Sequence, residues 1–234
     1  MIEVTAIDTI RHISVFNSID FGTTRVDVIG CGATGSRIAM SLAKLGILNL
    51  HLWDFDHVEG HNIANQGFGI GDIGQSKVEA LARRIQADTG LTPTVHNERV
   101  DGTQVLGAVV FVLTDTMSSR KEIWEKSIRY RPHVRVMVET RMGVAEGRVY
   151  TINPMQQVEI DRWEATLCAD EVAVESTCGS RTTVGPTAEL VSGQAVWSFI
   201  RWWQHQLPGS EIERPASEYI FGVLSPIVIS TRFE

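Results

Sequence analysis

Apolar residues in this chain recur with two periods, and the two alternate along it. Thr24–Ile29 is β-branched and leads into a glycine loop, which predicts a buried first strand. Ser36–Leu45 then carries Ile38, Leu42 and Leu45 on one helical face, and Gly46 stops it. Leu48–Trp53 predicts a second strand ending at Asp54, and helix returns at Ser76–Gln86 with Val78, Leu81, Ala82 and Ile85 inward. Pro93–His96 and Ala108–Leu113 predict the third and fourth strands. The unbroken run Val109-Val110-Phe111-Val112-Leu113 suits a central parallel strand covered on both faces. Ser118–Arg129 reads as helix, Val134–Glu139 as a fifth strand and Gly147–Ile152 as its antiparallel return. This alternation predicts an α/β fold with a doubly wound, Rossmann-like sheet. The sheet is mostly parallel, with antiparallel strands added at its C-terminal side.

The flanks read differently. Residues 1–22 form a leader in which Ile7, Ile10, Ile13 and Phe16 fall at three-residue steps, and the expectation is a helix. Residues 155–183 show little periodicity and are acidic, which predicts a long crossover loop. In residues 184–234, Thr187–Gln204 is helical, with Val191, Ala195, Phe199 and Trp203 at four-residue steps. Tyr219–Val223 and Ile227–Thr231 follow as closing strands. A length of 234 residues fits one domain, taken as 1–234.

Composition narrows the function. With 28 acidic against 21 basic residues the formal charge is -7, and no Lys/Arg block stands out, so neither nucleic acid nor membrane is an expected partner. No basic-then-apolar leader marks a signal peptide, and no stretch approaches the roughly 18 apolar residues of a membrane span. Three cysteines at unmatched spacings fit a reducing cytoplasm. Paired Cys-x-x-Cys ligands are missing, so no zinc is expected.

Candidate chemistry begins at Gly30-Cys31-Gly32-Ala33-Thr34-Gly35, between a strand and a helix. Such a loop aims backbone N–H groups and a helix N-terminus at phosphate. Gly30 permits the turn, Gly32 a close backbone approach, and Gly35 the packing of helix on strand. Asp54, after the second strand, is placed to accept hydrogen bonds from ribose hydroxyls, which suits NAD and ATP equally. Attack on the α-phosphate of ATP needs a cation on the phosphates and a carboxylate for Mg²⁺. Lys77 opens a helix near the expected phosphates, and Asp115 follows the fourth strand at the sheet's C-terminal edge. A solvated lysine and a helix-capping aspartate are the plainer readings of those two. Their joint occurrence with Asp54 and the loop favours ATP.

The stretch Val28–Gly35, then Asp54-x-Asp56-x-Val58-Glu59, Asn62, Gln66, Asp72-Ile73-Gly74, Lys77 and Thr114-Asp115-x4-Arg120, resembles the ThiF/MoeB/HesA family. These are the bacterial relatives of ubiquitin-activating enzymes. The likeness is strong over residues 26 to 154, including Gly143…Gly147-x-Val149-x-x-Ile152-x-Pro154, and returns at Ser192-Gly193-Gln194-Ala195. It implies a homodimer that binds ATP and Mg²⁺. It also implies adenylation of the C-terminal Gly-Gly carboxylate of a small ubiquitin-like or sulfur-carrier protein. On the same basis Asp54 holds ribose, Lys77 the phosphates and Asp115 the metal, while Asp56 and Asn62 line the reacting centre. Arg120 supports the metal-bearing loop.

One departure stands out. The family reads Asn-x-x-Arg-Gln, with the arginine on the phosphates, whereas Asn62-Ile63-Ala64-Asn65-Gln66 puts Asn65 there. Three outcomes are open: Arg141 or Arg37 substitutes, the phosphates are held less tightly, or the chain is a non-catalytic binding and dimerisation module. An NAD-dependent oxidoreductase is the rival enzyme class, although it has no use for Lys77 and Asp115 around a triphosphate. The family also brings an arginine from the partner subunit's leader, for which Arg11 is the candidate. A cysteine in the crossover segment of thiol-using relatives corresponds to Cys178, with Cys168 second, while Cys31 reads as a small packing residue.

Overall fold

Along β4 (Val109–Val112) every side chain is buried, and alternate residues serve opposite faces of the sheet. Val109 and Phe111 pack into one apolar cluster, and Val110 and Val112 into another. A strand apolar at consecutive positions therefore demands cover on both sides. The computed structural model, which describes residues 7–171, 184–224 and 227–234, shows that cover. Helices α2 (Gly35–Lys44) and α6 (Gly185–His205) supply Ile38, Leu42 and Phe199 to the first cluster. On the other face, α4 (Met117–Ile123) and the π-helical turn Trp124–Ile128 that continues it supply Ile123 and Trp124. Phe111 and Phe199 meet with ring centroids 6.0 Å apart, and truncating either to alanine should cost about 3–5 kcal/mol.

Besides β4 the sheet contains β1 (Val26–Ile29), β2 (Leu50–Trp53), β3 (Thr94–His96), β5 (Val136–Met142), β6 (Glu146–Ile152), β7 (Glu218–Gly222) and β8 (Val228–Thr231). Its order is β3-β2-β1-β4-β5-β6-β7-β8. Pairing is parallel from β3 to β5 and antiparallel from β5 to β8, as the sequence predicts. The chain leaves β1 toward β2 on one side and enters β4 on the other, so a switch point lies between β1 and β4. Among the described residues, no helix is long and apolar enough to cross a membrane.

Both flanks correct the sequence reading. The leader is not a helix over its described part. Residues 10–15 are turns, and the only helix there, α1 (Ser18–Phe21), has four residues, capped by Asn17 and ended by Gly22 at φ +65. Steps of three fall about 60° short of a full turn on an α-helix, so the apolar side chains cannot share one face. Only Phe16 reaches the core, while Ile10 is 69% exposed. In the crossover, α5 (Gln157–Glu164) forms where a loop was expected, burying Ile160 and Trp163. Its acidic character hid it: Glu159 is itself buried, accepting from Asn153 N at 2.8 Å and pairing with Arg214.

Candidate active site

Parallel register brings the site together. Ile29 pairs with Trp53 on one side and Val112 on the other, so β1, β2 and β4 end level. The residues that follow, Gly30, Asp54 and Leu113–Asp115, emerge at one edge beside the switch point. Gly30 has φ +92, and a Cβ there would stand 2.8 Å from the Leu113 carbonyl oxygen. At Gly35 a Cβ would lie 1.8 Å from the Gly30 carbonyl oxygen, so α2 can approach the loop only at glycine. Gly32 is the opposite case. Nothing lies within 4 Å of its missing Cβ, and it faces open space.

That space is a cavity of about 800 Å³, within the usual ligand-pocket range. Gly30, Gly32, Ala33, Thr34, Asp54, Asp56, Asn62, Gln66, Lys77 and Asp115 all line it, so ten residues singled out from sequence share one chamber. Gly35 shapes the loop from behind. Asp54 is tied at both oxygens: Cys31 N donates to Oδ2 at 2.7 Å and Asp56 N to Oδ1 at 2.9 Å. Burial pushes its carboxyl above the usual range, with Lys77 opposing. Lys77, buried at the start of α3 (Lys77–Thr89), puts Nζ 2.8 Å from Asp56 Oδ2. Asn62 is also buried, and its Oδ1 accepts from Glu59 N at 2.8 Å, fixing the turn Gly60–Asn62.

Gln66 Oε1 and Thr114 Oγ1, both on lining residues, are buried with no hydrogen-bond partner among the described residues. Buried polar atoms are rarely left so, and a polar ligand in the cavity would satisfy them. Asp115 stands exposed just before Thr116, whose Oγ1 caps α4 by accepting from Ser119 N at 3.2 Å. Among the described residues, no group of three or more His, Cys, Asp or Glu forms a self-sufficient metal cage. Mg²⁺ ordinarily takes one or two carboxylates plus phosphate oxygens, and Asp115 fits that donor set.

Arg141 does not line the cavity. β5 runs to Met142, three residues past its predicted end, so Arg141 lies within a strand pair opposite Arg148. It is 2% exposed, with Nε 3.0 Å from Glu139 and its terminal nitrogens donating to Thr166 O and Oγ1 at 2.9 Å. Arg37 is engaged as well: one terminal nitrogen donates to Ala33 O and Asn65 O, both at 2.7 Å, and Nε to Glu189 at 2.6 Å. It braces the loop that Asn65 belongs to. Arg11 is exposed in the turns before α1 and does not line the cavity of its own chain. Cys178 lies outside the described residues, Cys168 is half-buried, and burial pushes the Cys31 thiol well up.

Asp170 and Arg99 are among the lining residues that escaped the sequence reading. Asp170 accepts from Met117 N at 2.6 Å and Ser118 N at 3.1 Å, docking the crossover onto the first turn of α4. Hydrogen bonds from Ser118 hold its carboxyl below the usual range. Arg99, in the loop after β3, also faces the cavity. Neither sits in a motif, and only tertiary placement shows them.

A model of the ThiF family matches residues 18–219 of the chain. The chain belongs to the ThiF family. Within it, the adenylyltransferase and sulfurtransferase MOCS3 of Caenorhabditis briggsae is 28% identical over 104 residues, covering 42% of this chain and 26% of that protein. The Nedd8-activating enzyme E1 catalytic subunit of Drosophila melanogaster is 42% identical over 64 residues, 27% of this chain and 14% of the relative. The crystal structure of E. coli MccB with ATP superposes with a TM-score of 0.69 at 14% identity, covering 92% of this chain and 65% of MccB. This ThiF-family chain thus spans about two thirds of MccB and a smaller share of the two curated relatives.

Proposed function

We propose that this ThiF-family chain is an ATP-dependent adenylyltransferase acting on the C-terminal glycine carboxylate of a small ubiquitin-like or sulfur-carrier protein. The observation that carries the reading is one cavity holding a ribose-placed carboxylate (Asp54), a buried cation (Lys77) and a phosphate-edge carboxylate (Asp115) around an open glycine loop. Hydride transfer needs only Asp54 and the glycine loop, and has no use for Lys77 and Asp115. MOCS3 and the Nedd8-activating subunit, named for adenylyl transfer and ubiquitin-like protein activation, support the substrate class. MccB solved with ATP supports the nucleotide.

In the proposed reaction, Asp54 accepts the ribose hydroxyls, and the loop N–H groups with Lys77 hold the phosphates. Asn62 and Asp56 border the α-phosphate. A carboxylate oxygen of the carrier attacks the α-phosphorus. The bond from α-phosphorus to the bridging oxygen breaks, and pyrophosphate leaves with its electron pair, giving the acyl adenylate. Mg²⁺, held by Asp115 and phosphate oxygens, would offset negative charge on the leaving group. Without a phosphate arginine at position 65, Lys77 and the N-terminus of α2 carry the remaining compensation. We place the reaction in a single adenylation domain of a cytoplasmic homodimer, with Arg11 of each subunit serving the other's phosphates. Cys178 is the proposed acceptor where the acyl group passes on to a thiol.

ATP–pyrophosphate exchange with a Gly-Gly-tailed carrier tests the reading. Exchange that Asp115→Ala reduces by about 10²-fold or more is the expected result. ATP binding without exchange would favour a non-catalytic module. Binding of NAD in place of ATP would overturn the proposal.

A further inference from the structure

A second cavity, of about 270 Å³, shares no lining residue with the first. Val136, which opens β5, and Ile152, which ends β6, both line it, so it sits where the parallel strands start rather than where they end. Thr151 lines it too. That residue is 6% exposed, its amide donates to Ser217 O at 2.9 Å, and its Oγ1 has no hydrogen-bond partner among the described residues. A buried hydroxyl left so costs stability unless something meets it. Glu159 and Arg214 also line the cavity, ion-paired, with side chains 2% and 29% exposed. Glu159 accepts from Asn153 N and Arg214 Nη1, and Arg214 donates to Glu159 and, at 3.4 Å, to Ser217 Oγ. A carboxylate has more lone pairs and a guanidinium more N–H donors than these contacts use. Trp202, 7% exposed, adds an aromatic wall.

A ligand with net charge would unbalance an ion pair that is neutral as a unit and largely out of water. A zwitterion adds no net charge, yet its ammonium suits the spare carboxylate lone pairs and its carboxylate the spare guanidinium donors, through charge-assisted bonds. The cavity also falls below the usual ligand-pocket range of roughly 300–1,000 Å³, so its occupant is small. We propose that this cavity binds a free α-amino acid with an apolar side chain, its carboxylate on Arg214 and Thr151 Oγ1, its ammonium on Glu159 and its side chain against Trp202, Val136 and Ile152. The site is separate from the proposed adenylation centre and does not depend on that reading.

Calorimetry on the full chain with L-leucine, L-methionine, N-acetyl-L-leucine and L-leucinamide tests this. The two amino acids should bind saturably at one site, and each derivative, lacking one of the two charges, should bind at least about tenfold more weakly than leucine. Thr151→Val removes the hydroxyl and keeps the shape. It should weaken leucine by about fivefold or more and leave ATP affinity within about twofold. Without ligand the variant should melt no lower than wild type, because the hydroxyl it loses has no partner. No saturable binding of either amino acid overturns the proposal. So do derivatives that bind as well as leucine, and leucine affinity unchanged in Thr151→Val. A lower melting temperature for the unliganded variant would show that the hydroxyl is already satisfied within the protein, and overturns it too. Displacement of leucine by excess ATP would place the amino acid in the first cavity, with the same result.

Discussion

Lys77 and Asp56 are partners twice over: Nζ lies 2.8 Å from Oδ2, and the Lys77 amide donates to the Asp56 carbonyl at 3.0 Å. Their exposure is unequal, since the lysine side chain is 9% exposed and the aspartate 51%. A buried cation left without a partner costs more than an exposed carboxylate left without one. Asp56 thus fixes the position of the Lys77 side chain beside the cavity.

The two ends of that pair should separate activity from stability. Lys77→Ala removes the phosphate cation and should lower kcat/KM for exchange by about 10²–10³-fold. Because it strands only the exposed Asp56, its unfolding free energy from urea melts should stay within about 1 kcal/mol of wild type. Asp56→Ala strands the buried lysine and should cost about 1–3 kcal/mol. Equal stabilities for the two variants would show that the pair does not work in this order.

Gly32 and Gly35 make a second contrast, three residues apart. An alanine at 35 would drive Cβ to 1.8 Å from the Gly30 carbonyl, so Gly35→Ala should destabilise by about 1–3 kcal/mol or more. At 32 the protein offers nothing within 4 Å, and the unfolding free energy should move by no more than about 0.5 kcal/mol. Yet the added methyl projects where a phosphate would approach, so ATP affinity should fall in Gly32→Ala while stability holds. Calorimetric binding and urea melts on both variants give the comparison.

Residues at strand ends were legible in sequence because a parallel sheet gathers them without further information. Gly30, Asp54 and Asp115 each follow an apolar run, and level register alone brings them to one edge. Lys77 was legible because it opens the next amphipathic helix. Arg141 was misplaced because hydrogen bonding of β5 to β6 continues past the apolar residues that marked the strand. Helix α5 was masked by Glu159, whose burial depends on Arg214, 55 residues away. Arg99 and Asp170 depend on loop placement, which local pattern does not encode. The leader failed for a different reason: its apolar step of three does not match the 3.6-residue period of an α-helix.

Arg141 should therefore behave as a structural residue. Glu139 is fully buried and receives Arg120 Nε at 2.9 Å, Arg141 Nε at 3.0 Å and Trp163 Nε1 at 3.1 Å, joining β5 to α4 and α5. Removing the carboxylate charge leaves two buried guanidiniums short of compensation, and Glu139→Gln should cost roughly 3–5 kcal/mol. Arg141→Gln should likewise lower the urea midpoint, with the Kd for tripolyphosphate unchanged in the protein that remains folded. A selective loss of tripolyphosphate affinity with stability intact would restore Arg141 to the phosphates.

The edge of the sheet should respond to pH through two histidines. His51 Nδ1 and His96 Nε2 are 2.9 Å apart, an arrangement that needs one nitrogen to accept, and the His96 ring stacks 3.6 Å from Trp53. Burial, and then the Arg25 charge, lower both imidazoles from their ordinary value of 6.5. Asp27 opposes the shift at both, and Glu98 at His96. Below pH 6.5 the unfolded chain takes up protons that the folded pair resists, so unfolding becomes easier as pH falls. Above that value both states are neutral and the contribution is constant. Wild type should therefore lose stability in urea melts between about pH 7 and pH 5, more steeply than a His51→Gln, His96→Gln double variant. The variant also cancels the contribution of Asp54 and Glu159, whose carboxyls are raised and shift stability in the opposite sense. Identical pH slopes for the two proteins would show that this pair is not what senses the proton.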